Sequence, residues 1–104
     1  MLNPSFLNKL VILYVEDDVS IRNSMTNIFK KLFGKVIIAV NGQDGYDKFR
    51  IHKEKNINID IVISDINMPD KNGIEMITDI RKLDENIPVV VTTAHSDTHF
   101  FLMQ

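Results

Sequence analysis

Cysteine is absent from this chain of 104 residues, so disulfide bonds and thiolate metal sites are excluded. A long apolar run is also lacking, because the stretch at residues 10–15 is far shorter than the roughly 20 residues that cross a bilayer. Three acids follow it at once, unlike a signal peptide. The net charge of −2 gives no electrostatic reason to expect nucleic acid or a membrane surface as a partner. We therefore expect a cytoplasmic, soluble protein without such contacts.

Length and composition indicate one globular domain. Hydrophobic residues make up 44% of the sequence and charged residues 25%, which is ordinary for a soluble domain. No internal repeat, low-complexity segment or interdomain linker is visible in the sequence. We assign residues 1–9 to a lead-in and residues 10–104 to a single domain.

Four apolar runs rich in β-branched residues alternate with segments of helical periodicity. Because these runs are continuous, they predict strands that are buried on both faces of a parallel sheet. The strands are predicted at residues 10–15, 36–40, 59–64 and 89–93. We expect helices after a cap at Asp18, after the turn pair Asn41-Gly42, from about Gly73 and from Ser96 or Asp97, and a polar loop at residues 52–58. Four strand–helix repeats predict an α/β fold with a doubly wound parallel sheet.

Acidic and hydroxyl side chains stand at the carboxyl ends of three predicted strands. Glu16 and Asp17 follow the first strand, Asp65 follows the third, and Thr93 ends the fourth. In doubly wound sheets, ligands bind beyond the carboxyl ends of the strands, where the strand order reverses. If the first and third strands are neighbours, these four side chains meet in one crevice.

Three carboxylates held together repel each other unless a cation lies among them. No lysine or arginine lies near these strand ends in the sequence, so we expect a bound cation. A few carboxylates with water and phosphate oxygens suit Mg²⁺ better than Ca²⁺. A carboxylate beside Mg²⁺ can attack phosphorus and form an aspartyl phosphate, and Thr93 can donate its hydroxyl to a phosphoryl oxygen. For Glu16 and Asp17 alone, solvated loop acids are the simpler interpretation; Asp65 and Thr93 at matching strand ends reverse that preference.

Three motifs resemble, in order and spacing, the receiver domain of bacterial two-component response regulators. They are Val15-Glu16-Asp17-Asp18, Asp65-x-x-Met68-Pro69-x-x-x-Gly73 and Pro88-x-x-x-x-Thr93-Ala94, and the likeness extends from Leu10 onward. The resemblance implies a flavodoxin-like fold with strand order 2-1-3-4-5. It also implies a phosphorelay function, in which a sensor histidine kinase or phosphotransfer protein supplies a phosphoryl group. The receiver then changes conformation to control an output domain or partner, and it is not an enzyme with a separate substrate.

The resemblance assigns a role to each matching position. Asp65 is the phosphoacceptor, and Glu16 and Asp17 are the acidic pair that holds Mg²⁺ together with Asp65. The backbone carbonyl of Asn67 is the further protein ligand of the metal. Thr93 is the switch hydroxyl that moves toward the phosphoryl group.

The family's phosphate-binding lysine follows a fifth strand, and this chain ends before that strand would begin. Lys71 and Lys82 do not occupy the matching position. We expect a domain that lacks its fifth strand–helix unit, with apolar side chains of the third and fourth strands exposed and the fourth strand an unpaired edge. This predicts self-association or segment exchange.

Two other functions are compatible with the same fold. One is a phosphorylation-silent protein-interaction module, which the complete set of site residues disfavours. The other is an Asp-nucleophile phosphohydrolase, a class in which a second Asp stands two residues after the nucleophile. Here that position is Asn67, and no cap insertion for a substrate is present.

Overall fold

A computed structural model describes residues 4–68, 71–92 and 100–103, which form one five-stranded sheet with helices on both faces. The elements are α1 Pro4–Leu7, β1 Val11–Val15, α2 Val19–Leu32, β2 Lys35–Ala39, α3 Gly42–Glu54, β3 Ile61–Asp65, α4 Gly73–Leu83, β4 Val89–Thr92 and β5 Phe100–Met103. The strand order is β2-β1-β3-β4-β5. The first four strands pair in parallel, which confirms the predicted doubly wound, flavodoxin-like sheet. No helix in the described ranges is long and apolar enough to cross a membrane.

The two faces of the central strand β1 enter different cores. Leu13 and Val15 pack in the cluster that α3 and α4 cover, whereas Ile12 and Tyr14 pack with Phe29 of α2. Alternate side chains of a strand point to opposite faces, so a strand covered by helices on both sides is apolar at every position. Each such buried side chain contributes about 1.5–3 kcal/mol relative to an exposed one.

Side-chain caps fix where the helices begin. Asp18 accepts a hydrogen bond from the amide of Ile21 at 2.9 Å, and Asn72 accepts one from the amide of Glu75 at 2.9 Å. Asn41 caps α3 in the same way, with its Oδ1 2.8 Å from the amide nitrogen of Asp44. The pair Asn41-Gly42 is therefore the start of a helix rather than a separate turn.

Two details of the predicted helices are wrong. The loop predicted at residues 52–58 begins later, because α3 runs to Glu54, where that carboxylate pairs with Arg50 at 3.0 Å. The chain then leaves the helix at Asn56, which has a φ of 58°. The apolar residues at positions 74, 77 and 80 predict one buried face of α4, whereas in the structure Ile74 is 46% exposed and Met76 is buried instead.

The predicted helix over residues 100–103 is also wrong, because these residues form β5. Phe100–Met103 pairs antiparallel with β4, with Leu102 opposite Val90. Unpaired backbone groups at the edge of a sheet favour the addition of an apolar segment of this kind. β4 is therefore not the unpaired edge that the sequence predicted, and the apolar side chain of Ile63 on β3 is only 5% exposed. The predicted start of that helix, at residues 96–99, lies outside the described residues.

Candidate metal centre

Three carboxylates meet at the carboxyl edge of the sheet. β1 and β3 are neighbours in register, with Val15 opposite Ser64, so Glu16 and Asp65 follow paired residues and lie side by side. Asp17 is the next residue of the loop from β1 to α2. One carboxylate oxygen from each of Glu16, Asp17 and Asp65 lies within 4.8 Å of the other two. The structure thus brings together the three acids that the sequence placed at strand ends.

Two of these acids are almost wholly buried. Glu16 is 1% exposed and Asp65 is 2% exposed, while Asp17 is half-buried. Burial raises the pKa of Glu16 from 4.5 to about 7, and the charge of Asp65 acts in the same direction. The amide of Asp18 donates to Glu16 Oε2 at 3.1 Å and opposes part of this shift in pKa. Without a cation, the cluster therefore holds a proton that free carboxyl groups would release.

Local hydrogen bonds orient Asp65 at the end of β3. Its Oδ1 accepts from the backbone amide of Asn67 at 3.1 Å, which folds the chain back over the carboxylate. The hydroxyl of Ser64, which is fully buried, donates to the Asp65 carbonyl at 2.8 Å. Asn67 therefore lies beside Asp65, and the role of its carbonyl as a metal ligand stays a prediction. Thr93 lies outside the described residues.

Glycine allows the helix after Asp65 to approach the strand end closely. A Cβ atom on Gly73 would collide with the backbone carbonyl of Asp65 and with Cα of Ile66. The Gly73 amide donates to the Ile66 carbonyl at 3.2 Å, so α4 begins directly against the end of β3. The Met68 side chain is 8% exposed and packs in the core, which anchors the intervening loop.

A cation that the sequence analysis missed lies beside this cluster. Arg22 Nη1 donates to the carbonyl of Glu16 at 2.9 Å and approaches the carbonyl of Asp17 at 3.3 Å. The expectation that no lysine or arginine lies near these strand ends is therefore wrong. A signal was present, because Arg22 is four residues after the cap Asp18, and helical side chains lean back toward the N-terminus of their helix.

A buried tyrosine lies near the same acids. Tyr14 on β1 is 2% exposed and meets the ring of Phe29 edge to face, with the ring centroids 5.0 Å apart. Burial raises the pKa of Tyr14, and the charges of Glu16 and Asp65 raise it further. The phenol therefore stays protonated, and its pKa depends on the charge of the acidic cluster.

The lysine nearest in sequence to the Asp65 loop is engaged elsewhere. The ammonium group of Lys71 pairs with Asp79 of α4 and lies 4.8 Å from the ring centroid of Tyr46 on α3. The backbone carbonyl of Lys71 occupies the place where a Cβ on Gly42 would lie. These contacts fasten Lys71 to α3 and α4, and they agree with leaving Lys71 out of the site.

The residues present fit a hard divalent cation. All donors are carboxylate oxygens within 4.8 Å of one another, and such donors are preferred by Mg²⁺ and Ca²⁺ rather than by softer metals. Burial and the nearby charge of Asp65 raise the pKa of Glu16, so a cation that enters the cluster would favour the ionised form of this carboxyl group.

Comparison with known proteins identifies the family to which this chain belongs. Residues 12–103 match the family described as the response regulator receiver domain. Chemotaxis protein CheY of Thermotoga maritima is 34% identical over 84 residues, which cover 80% of this chain and 66% of CheY. Sporulation initiation phosphotransferase F of Bacillus subtilis is 33% identical over 86 residues, covering 83% of this chain and 65% of that protein. Nodulation protein W of Bradyrhizobium diazoefficiens, 27% identical, is matched over 37% of its length.

Solved structures agree with these sequence matches. The N-terminal domain of an uncharacterized protein from Wolinella succinogenes superposes with a TM-score of 0.72 at 34% identity, covering 85% of this chain and 67% of that one. A chain of the CheX–CheY–BeF₃–Mg²⁺ complex of Borrelia burgdorferi gives a TM-score of 0.72 at 31% identity, covering 85% of this chain and 64% of that one. The family match over residues 12–103, with these relatives, leads to one conclusion: the chain belongs to the response regulator receiver domain family and is a phosphorelay receiver domain.

Proposed function

We propose that Asp65 is the phosphoacceptor of this receiver and that Glu16, Asp17 and Asp65 hold Mg²⁺ beside it. The observation that carries the proposal is the meeting of the three carboxylates, with oxygens within 4.8 Å of one another, at the carboxyl edge of the sheet. Asp65 is the residue of this group that ends a strand and is fixed by its own loop. Its phosphodonor is a sensor histidine kinase or a phosphotransfer protein.

Phosphoryl transfer to Asp65 exchanges one bond to phosphorus for another. A carboxylate oxygen of Asp65 attacks the phosphorus of a phosphohistidine, the new P–O bond forms, and the P–N bond breaks. The leaving imidazole nitrogen takes a proton from solvent. When bound, Mg²⁺ neutralises charge on the transferring phosphoryl oxygens. The amide of Asn67 keeps one Asp65 oxygen oriented, the Asn67 carbonyl completes the metal ligands, and Thr93 donates its hydroxyl to the phosphoryl group.

The proposal also covers the partner that the receiver controls and its location in the cell. The phosphoryl group on Asp65 controls an output domain or partner, and the chain transforms no separate substrate. A cytoplasmic location fits a donor kinase that presents its phosphohistidine there. The presence of BeF₃ and Mg²⁺ with CheY in the Borrelia complex supports the same pairing of anion and metal here.

Incubation with acetyl phosphate and Mg²⁺, followed by intact-mass measurement, tests the proposal. The wild-type chain is expected to gain one phosphoryl group, and Asp65→Asn is expected to gain none. Asp47→Asn, the same substitution on α3, is the matched control and should be modified like the wild type. Absence of modification in the wild type contradicts the proposal and favours a phosphorylation-silent interaction module. Continuous hydrolysis of many phosphate esters would instead favour a phosphohydrolase.

We also propose that the chain self-associates, through the β5 edge of the sheet rather than through the β4 edge that the sequence predicted. β5 is the last strand of the described sheet, and an edge strand offers unpaired backbone groups to a second chain. We expect the weight-average mass in sedimentation equilibrium to rise with protein concentration. A monomer over the whole accessible concentration range would contradict this.

A further inference from the structure

We propose that Arg22 is a positioning residue of the metal site, because its guanidinium fastens the carbonyls of Glu16 and Asp17 and thereby fixes the loop that carries two of the three acids. This inference rests on the proposed function in so far as Mg²⁺ is the ligand of that loop. Arg22 itself is neither a metal ligand nor a reacting group, because its side chain donates to the backbone oxygens of this loop.

The loop between β1 and α2 is short, and Arg22 spans it from the helix side. β1 ends at Val15 and α2 begins at Val19 after its cap Asp18. A single atom, Arg22 Nη1, lies 2.9 Å from the carbonyl oxygen of Glu16 and 3.3 Å from that of Asp17. Two successive carbonyls that point to one donor fix both peptide planes, and these planes set the direction in which the Asp17 side chain leaves the backbone.

Backbone hydrogen bonds anchor the two ends of this loop, and within it the Asp18 amide donates to Glu16 Oε2 at 3.1 Å. The Glu16 amide donates to the Ala39 carbonyl of β2 at 3.1 Å, which anchors the end of β1 to the sheet. The backbone amide of Arg22 donates to the Asp18 carbonyl at 2.9 Å, which keeps the first turn of α2 closed. The Arg22 side chain joins the two anchored parts through the carbonyls between them. It is half-buried, so its guanidinium is partly shielded from competing water.

The charge and the geometry of Arg22 have opposite effects on a bound divalent cation. The guanidinium repels Mg²⁺ by Coulomb's law, so loss of its charge alone would tighten Mg²⁺ binding. Loss of its hydrogen bonds releases the loop, so that binding must also order Asp17, and this weakens Mg²⁺ binding. The direction of the change therefore separates a positioning role from a purely electrostatic one.

Mg²⁺ titration of the full chain, followed by ¹H–¹⁵N NMR at the amide of Asp17, measures the dissociation constant. Arg22→Gln is expected to raise the Kd about tenfold, since loss of groups that orient metal ligands typically costs 10–100-fold in affinity. Arg22→Lys keeps the charge and one donor group but not the position of Nη1, so its Kd is expected above that of the wild type. Arg50→Gln, which makes the same charge change at the Glu54 pair on α3, is expected to leave the Kd unchanged.

The outcomes distinguish this inference from the proposed function. If the wild-type chain binds Mg²⁺ and Arg22→Gln binds it equally or more tightly, the positioning role is wrong and the metal site stands. If the wild-type chain binds no Mg²⁺, the metal part of the proposed function fails and this inference fails with it.

The amide signals of the metal-free protein show whether the variant is folded and whether its loop has changed. In folded Arg22→Gln the amide signals of Asp17 and Asp18 should shift while those of β3 stay in place, and unchanged Asp17 and Asp18 signals would contradict the inference. If Arg22→Gln is unfolded, Arg22→Lys decides, and a Kd at or below that of the wild type contradicts the inference.

Discussion

Glu16 and Asp65 follow neighbouring parallel strands and bring their carboxylates together although their side chains are 1% and 2% exposed. Two buried acids at this separation are costly when both are charged. This cost raises the pKa of Glu16 in the metal-free protein. A cation that enters the cluster removes the cost, so metal binding, proton release and stability are linked at this site.

Stability without metal should therefore fall as the pH rises. The folded chain holds the Glu16 proton more tightly than the unfolded chain, because its pKa is raised from 4.5 to about 7. The contribution is fully present below pH 4.5, is lost as the pH rises to about 7, and then levels off. At pH 8, Glu16→Gln should be more stable than the wild type by on the order of 2 kcal/mol, and the two should converge at low pH.

Urea unfolding in EDTA across this pH range measures the difference. Glu85→Gln, in the turn after α4 and away from the cluster, is the matched control. In saturating Mg²⁺ the wild type should gain stability and overtake Glu16→Gln. Parallel stability profiles for the wild type and Glu16→Gln in EDTA would refute the link between Glu16 and the cluster.

Gly73→Ala should destabilise the fold, although alanine has a higher helix propensity than glycine. A methyl group at position 73 collides with the carbonyl of Asp65, and such overpacking typically costs about 1–3 kcal/mol. Propensity alone would give a gain of up to about 1 kcal/mol for alanine in a helix interior. Thermal and urea unfolding measure the sign, with the exposed Ser24→Ala on α2 as the control for alanine substitution. A more stable Gly73→Ala variant would show that α4 does not begin against Asp65.

The ion pair of Lys71 and Asp79 should anchor residue 71 to α4. The Lys71 hydrogen bond lowers the pKa of Asp79 below 3.8, so the pair contributes above pH 3.8 and its contribution is lost as the pH falls further. A double-mutant cycle with Lys71→Met and Asp79→Asn should give a favourable coupling at pH 7 that decreases with added salt. The matched cycle with Lys82, whose side chain is 74% exposed and 3.5 Å from Asp79, should give a smaller coupling. Equal couplings in the two cycles would contradict the anchoring role of Lys71.

Much of the sheet and of the acidic cluster could be predicted because both depend on local sequence patterns. Continuous β-branched runs mark strands buried on both faces, and an acid directly after such a run must stand at the carboxyl edge. The strand order that makes β1 and β3 neighbours was implied by the resemblance to receiver domains, and with that order Glu16 was expected beside Asp65.

The features that could not be predicted depend on contacts between distant segments or on the direction of one side chain. The cap Asp18 and the backward lean of helical side chains indicate that Arg22 lies near the end of β1, but not that its guanidinium donates to the carbonyls of Glu16 and Asp17. The apolar run Phe100–Met103 suits a helix or a strand equally, and only the edge of β4 decides between them. The polar composition of residues 52–58 predicted a loop, whereas α3 continues to Glu54, which pairs with Arg50 one turn earlier.

Chemical trapping of the acyl phosphate tests the central claim most directly. After incubation with acetyl phosphate and Mg²⁺, borohydride reduces an aspartyl phosphate to homoserine, which peptide mass spectrometry locates in the sequence. The proposed function predicts homoserine at position 65, in amounts that fall sharply when EDTA replaces Mg²⁺ and that are unchanged in Asp47→Asn. Homoserine at another acidic position, or none with Mg²⁺ present, would contradict the assignment of Asp65 as the phosphoacceptor.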